Sequence, residues 1–78
     1  MEQRGKEIRD LDAARHRFPA GSRVQIVTGW FKGEEATVDC VDEAAFHELG
    51  EVVIWLDVGR DAIYLPGSVM QHEVVPVG

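Results

Sequence analysis

Cysteine occurs once in these 78 residues, at Cys40, so no disulfide can close within the chain and no cysteine-based zinc site can be assembled. Long apolar runs are missing as well. Val52–Leu56 spans five residues, against the roughly 18 that a membrane span requires. The first ten residues, MEQRGKEIRD, hold no apolar stretch of the kind a secretory leader needs. These absences predict a reduced, cytoplasmic setting. Serine occurs only at Ser22 and Ser68, and neither lies in Gly-x-Ser-x-Gly. No Gly-x-x-x-x-Gly-Lys-Ser/Thr loop is present to cradle phosphate. His16, His47 and His72 are far apart and form no His-Glu-x-x-His pair. The chain therefore offers no catalytic constellation, and we expect no cofactor and no metal.

Positive charge is scarce beyond residue 23. Residues 1–23 net +2, with Arg4, Lys6, Arg9, Arg15, Arg17 and Arg23 against Glu2, Glu7, Asp10 and Asp12. Residues 24–78 hold only Lys32 and Arg60 against ten carboxylates and net −8, which makes the whole chain −6. Nucleic-acid binding draws most of its affinity from cations beside phosphates, so duplex DNA is excluded as an expected partner. RNA is left only the basic N-terminal segment. The acidic balance otherwise keeps a small protein soluble.

What is present is one small domain's worth of chain, 45% hydrophobic and 28% charged, enough to fold but with a thin stability margin. Residues 6–17, KEIRDLDAARHR, are good helix formers. Ile8, Leu11, Ala14 and Phe18 make one narrow apolar stripe, and Pro19 and Gly21 end it. A stripe this thin either docks on the domain or a second copy, or it frays. From Ser22 the period becomes two. Val24 and Ile26 form one strand. Ala36, Val38 and Cys40 form a second, with Cys40 facing inward. Asp42–Gly50 is an acidic connection with room for one helical turn at Glu43–Leu49. Glu51–Asp57 is the strongest strand, with Val52, Ile54 and Leu56 inward. Val58-Gly59-Arg60 is a turn and Asp61–Leu65 a fourth strand. Pro66-Gly67-Ser68 breaks that strand, leaving space for a 3₁₀ turn through Met70. Gln71–Val77 is a fifth strand, placed at an edge by Pro76. Five short strands with tight turns predict an all-β fold: a small, partly open five-stranded barrel over residues 21–78, preceded by a helix or flexible tail over residues 1–20.

The run Gly21-Ser22-Arg23-Val24-Gln25-Ile26-Val27-Thr28-Gly29-Trp30-Phe31-Lys32-Gly33-Glu34-Glu35-Ala36-Thr37-Val38 resembles a KOW motif. That motif is a glycine, an alternating strand, a glycine, Lys-Gly and a second strand, and it sits on SH3-like barrels of transcription factors and ribosomal proteins. The resemblance implies an SH3-like fold and contact with RNA or RNA-bound machinery. Two departures are visible: Ala36 stands where glycine is usual, and Glu34 and Glu35 follow the loop that is commonly basic. Val53 through Arg60, followed by Leu65-Pro66-Gly67-Ser68, is similar to small actinobacterial SH3-like domains of unknown function. In length and layout the chain is also similar to type II dihydrofolate reductases, which build one pore from four protomers. Ala62-Ile63-Tyr64 matches two residues of their Gln-Ile-Tyr strand, but the glutamine is missing.

Trp30 and Phe31 occupy a loop bounded by Gly29 and Gly33. One ring is enough to close the end of so small a core. We expect Phe31 to pack inward and Trp30 to stay exposed as a binding anchor. Lys32, Arg60 and Tyr64 join them as candidate partner-binding residues, and core packing is the expectation for Trp55. The reading is a non-enzymatic module that binds a protein through Trp30–Gly33. Contact with RNA machinery is the alternative, and a symmetric oligomeric enzyme a lesser one. Val53 and Trp55 lie out of phase with the core face, so the N-terminal helix or a second protomer is expected to cover them, with a homodimer favoured.

Overall fold

A computed structural model of the chain describes residues 10–59 and 64–77. Its first element is the helix α1, Leu11–Arg17. Asp10 has extended dihedrals, and its carboxylate accepts a hydrogen bond from the Asp12 amide, so α1 begins after it; residues 6–9 of the expected helix lie outside the described residues. Ala14 and Phe18 are fully buried and Leu11 packs beside them, so the stripe docks on its own chain, where α1 meets the second strand. Ile8 and the cations of residues 1–9 lie outside the described residues.

Five antiparallel strands follow: β1 Arg23–Ile26, β2 Glu35–Val41, β3 Val53–Leu56, β4 Ser68–Met70 and β5 Val74–Pro76. Their order in the sheet is β4-β3-β2-β1-β5. A second helix, α2 over Glu43–Leu49, joins β2 to β3, and a 3₁₀ turn, Gln71–Glu73, joins β4 to β5. Between the outer strands β4 and β5 no pairing is formed among the described residues, so the sheet is not closed. The fold is thus mostly β, with two short helices.

One core lies on the inner face. Val24, Ile26, Ala36, Val38, Val52, Ile54, Leu56, Leu65, Val69 and Val74 are buried there with Ala14 and Phe18. Val52, Ile54 and Leu56 point inward as their alternation implies, and β5 with Pro76 is an edge strand.

Several expectations are corrected. Among the described residues the fourth strand is Ser68–Met70, where Pro66-Gly67-Ser68 pointed to a break. Of the expected strand Asp61–Leu65, residues 61–63 lie outside the described residues, and Tyr64 and Leu65 are in a turn. The proline precedes that strand instead of ending one. The 3₁₀ turn comes three residues later than expected and consumes the start of the fifth strand, because the Glu73 carboxylate accepts from the Met70 amide at 2.7 Å and folds the chain back. The acidic connection forms a two-turn helix, with Asp42 at its start and Gly50, at φ 69°, at its end.

Cys40 is exposed, not inward. The pairing of β2 with β3 shifts between Val38 and Cys40, so Asp39 and Cys40 together oppose Trp55. This β-bulge puts two successive residues on the outer face and returns Val41 to the core. Trp55, expected in the core, is 42% exposed on that same outer face, and the docked α1 does not bury it. Val53 is half-buried. Thr37, an outward residue by alternation, is nevertheless only 4% exposed. Arg23 lies over it, its Nη1 donating to Thr37 Oγ1 at 2.8 Å.

Candidate functional site

The β1–β2 hairpin builds the end of the molecule that holds the candidate residues. Ile26 and its partner segment close the ladder: the Ile26 amide donates to the Glu34 carbonyl at 2.8 Å, and the Gly33 amide donates to the Ile26 carbonyl at 2.7 Å. Beyond that pair the chain makes two tight turns. The Lys32 amide donates to the Gly29 carbonyl at 3.3 Å, and the Glu34 amide donates to the Phe31 carbonyl at 3.0 Å. Gly29 and Gly33 adopt φ of 80° and 100°, the left-handed region where a side chain is strained. The Val27 amide reaches across to the Glu73 carbonyl at 2.9 Å, which ties the hairpin base to the 3₁₀ turn.

On this frame Trp30 is 93% exposed, Phe31 is half-buried against the core, and Lys32 is exposed. The division between the two rings is the one expected from the sequence. Tyr64 comes from the segment before β4 and meets the hairpin, with its ring centroid 6.2 Å from that of Phe31 and the planes at 40°. Its hydroxyl donates to Glu34 Oε1 at 3.0 Å, and its ring is 58% exposed. That bond favours the protonated hydroxyl, so the Tyr64 phenol is pushed above its ordinary range, with desolvation and the Glu34 charge acting in the same sense. Trp30, Phe31, Lys32 and Tyr64 thus occupy one end of the molecule. Arg60 lies outside the described residues, as do Ala62 and Ile63.

Glu34 was missed as a participant. It is 30 positions from Tyr64, and no local pattern couples them.

A second polar constellation lies on the outer face of the sheet. The two oxygens of Asp42 do different work: Oδ1 accepts from the Ala45 amide at 2.9 Å and caps α2, and Oδ2 accepts from Trp55 Nε1 at 2.9 Å. The backbone bond, then the indole bond, hold the Asp42 carboxyl below its ordinary range. Cys40 opposes Trp55. Partial desolvation and then the Asp39 and Asp42 charges push its thiol up, with Arg15 working against them. A thiol raised in this way is a poor nucleophile at neutral pH.

Among the described residues no group of three or more His, Cys, Asp or Glu side chains is placed to hold a metal ion. No helix among them is long and apolar enough to cross a membrane. Shallow hollows lie along α1; one of about 310 Å³ is lined by Arg15, Phe18, Pro19, Ala20, Cys40 and Val41. By its geometry this is a β-sheet domain with an aromatic-tipped hairpin. Comparison with models of protein families, with curated proteins and with solved structures finds no match in any of the three.

Proposed function

We propose that the chain is a non-enzymatic interaction module of SH3-like, KOW-type architecture that binds a protein partner through the Trp30–Gly33 hairpin tip. The observation that carries this reading is the 93% exposure of Trp30 on a turn whose neighbours are fixed. An indole in water brings no folding benefit, whereas indoles on preorganised loops are common anchors of protein interfaces. Phe31, packed on the core, keeps the tip from collapsing and so keeps the ring presented. Support for the architecture comes from the strand order, from the hairpin that carries Lys32-Gly33, and from the 3₁₀ turn between the last two strands.

The RNA alternative draws on the same indole, since bases stack on exposed aromatics. Against it stands the surrounding charge: Glu34 and Glu35 are exposed beside Lys32, and two of the described arginines are engaged, Arg15 with Glu43 and Arg23 with Glu35. The test is quantitative affinity capture with the intact chain and with Trp30→Ala, before and after nuclease treatment. The expected result is a discrete protein partner that resists nuclease and is lost from Trp30→Ala, while the far-UV circular dichroism spectrum of that variant is unchanged. A partner retained by Trp30→Ala, or released by nuclease, overturns the reading.

A further inference from the structure

The hairpin supplies only part of the surface at its own end. Tyr64 supplies the rest, and between Tyr64 and the hairpin stands the carboxylate of Glu34. Two other carboxylates, Glu35 next in sequence and Glu43 beyond the far end of β2, are engaged differently. Glu35 pairs with Arg23 at 3.5 Å, and Glu43 pairs with Arg15 at 3.2 Å and faces His47 Nε2 at 3.6 Å. Glu34 makes no ion pair among the described residues; its side chain bonds to the neutral hydroxyl of Tyr64 through Oε1. The Glu34 carboxylate is thus held by a tyrosine from another segment, next to a hairpin whose tip exposes Trp30, and Tyr64 is itself more than half exposed.

Exposed aromatic rings on the segments that hold a carboxylate without an ion pair among the described residues suit one side chain better than others. A guanidinium is planar, stacks on ring faces, and donates in a fork to carboxylate oxygens. An ammonium satisfies the charge but stacks less well. We propose that Trp30, Tyr64 and Glu34 receive an arginine side chain from a basic segment of the partner protein. This rests on the protein-binding reading above and specifies the partner's chemistry. The net −8 of residues 24–78 acts in the same direction over longer range, drawing a basic segment toward this domain. Lys32, exposed on the same turn, opposes it locally.

The probe is a fluorescein-labelled peptide of alternating glycine and arginine, followed by anisotropy, with lysine and glutamate counterparts and a single-stranded oligouridylate. The arginine peptide is expected to bind saturably, more tightly than the lysine peptide, and to weaken as salt is added. Glu34→Gln keeps an acceptor for Tyr64 but removes the charge, and is expected to weaken binding about tenfold. Trp30→Ala is expected to weaken it several-fold, and Lys32→Ala to strengthen it. Each variant is checked by thermal melt for an intact fold. Absence of arginine-peptide binding overturns the proposal, as does equal binding by Glu34→Gln, or preference for the glutamate peptide or the oligouridylate. With the captured natural partner the two readings separate. Release by Trp30→Ala but not by Glu34→Gln overturns the arginine receptor and leaves the protein-binding module standing; release by neither overturns both.

Discussion

Trp30 and Phe31 are adjacent, chemically alike, and in opposite environments. Phe31 touches the core, so truncating it removes apolar contacts; for a half-buried ring, Phe31→Ala is expected to cost roughly 1.5–3 kcal/mol, below the range for a fully buried phenylalanine. Trp30 touches little, and Trp30→Ala is expected to change stability by less than about 1 kcal/mol. Paired urea melts measure both; a larger loss for Trp30→Ala makes the indole structural. Tyr64 permits a second test at this scale, because it is the chain's sole tyrosine. Ultraviolet absorbance of the tyrosinate therefore reports one group. Its pKa is raised by the Glu34 bond, so the contact is intact below the ordinary tyrosine range and is lost as pH rises through the raised value. The midpoint is expected above that of a free tyrosine, and Glu34→Gln is expected to bring it back down. An unshifted midpoint in the intact chain removes the Tyr64–Glu34 bond from the solution structure.

At the scale of elements, alternation placed β1, the first half of β2, and β3 correctly, because each buries one face against the same core. It failed at the bulge. From Val38 the pattern continues unbroken to Cys40, and the bulge residue Asp39 looks like any other outward position. Only the pairing with β3 reveals that two residues oppose Trp55. It failed again around Pro66, whose φ restriction fits the entry to a strand as well as the exit from one. The site was legible in part for a related reason. Glycines bounding two rings are a local signal, whereas the partnership of Glu34 with Tyr64 depends on a chain path between β3 and β4 that no short-range pattern encodes. α2 and β3 are joined by Asp42, which caps one and holds the indole of the other. Its lowered pKa means that the clasp is complete above the ordinary aspartate range and is lost as pH falls through the lower folded value. Tryptophan emission followed from about pH 5 to about pH 2 is expected to show a transition below the ordinary aspartate midpoint. Asp42→Asn, which still caps a helix, is expected to abolish it. A transition that persists in Asp42→Asn assigns it to another carboxyl.

For the whole molecule, charge is the property that reaches furthest. A domain this acidic repels phosphate backbones, and no binding to duplex DNA in the micromolar range is expected at physiological salt. Fluorescence anisotropy with a labelled duplex checks this, and tight binding with a steep salt slope contradicts it. The expected cover for Val53 and Trp55 is the N-terminal helix or a second protomer. In the single chain α1 docks on its own core, while Trp55 bonds to Asp42 and stays 42% exposed.

The pairing of β1 with β5 also sets an order of events in time. Gln25 lies opposite Val75, so the sheet joins residues 50 positions apart in sequence. During synthesis the β1–β2 hairpin can close as soon as its own residues emerge, since its ends are near in sequence. The outer edge of β1 must then wait for Val74–Pro76 to emerge, with the groups that will bond to β5 open to any other strand. Until that moment the nascent chain has a vacant lane beside β1, and completing the sheet is a race between the arrival of β5 and the approach of a stranger.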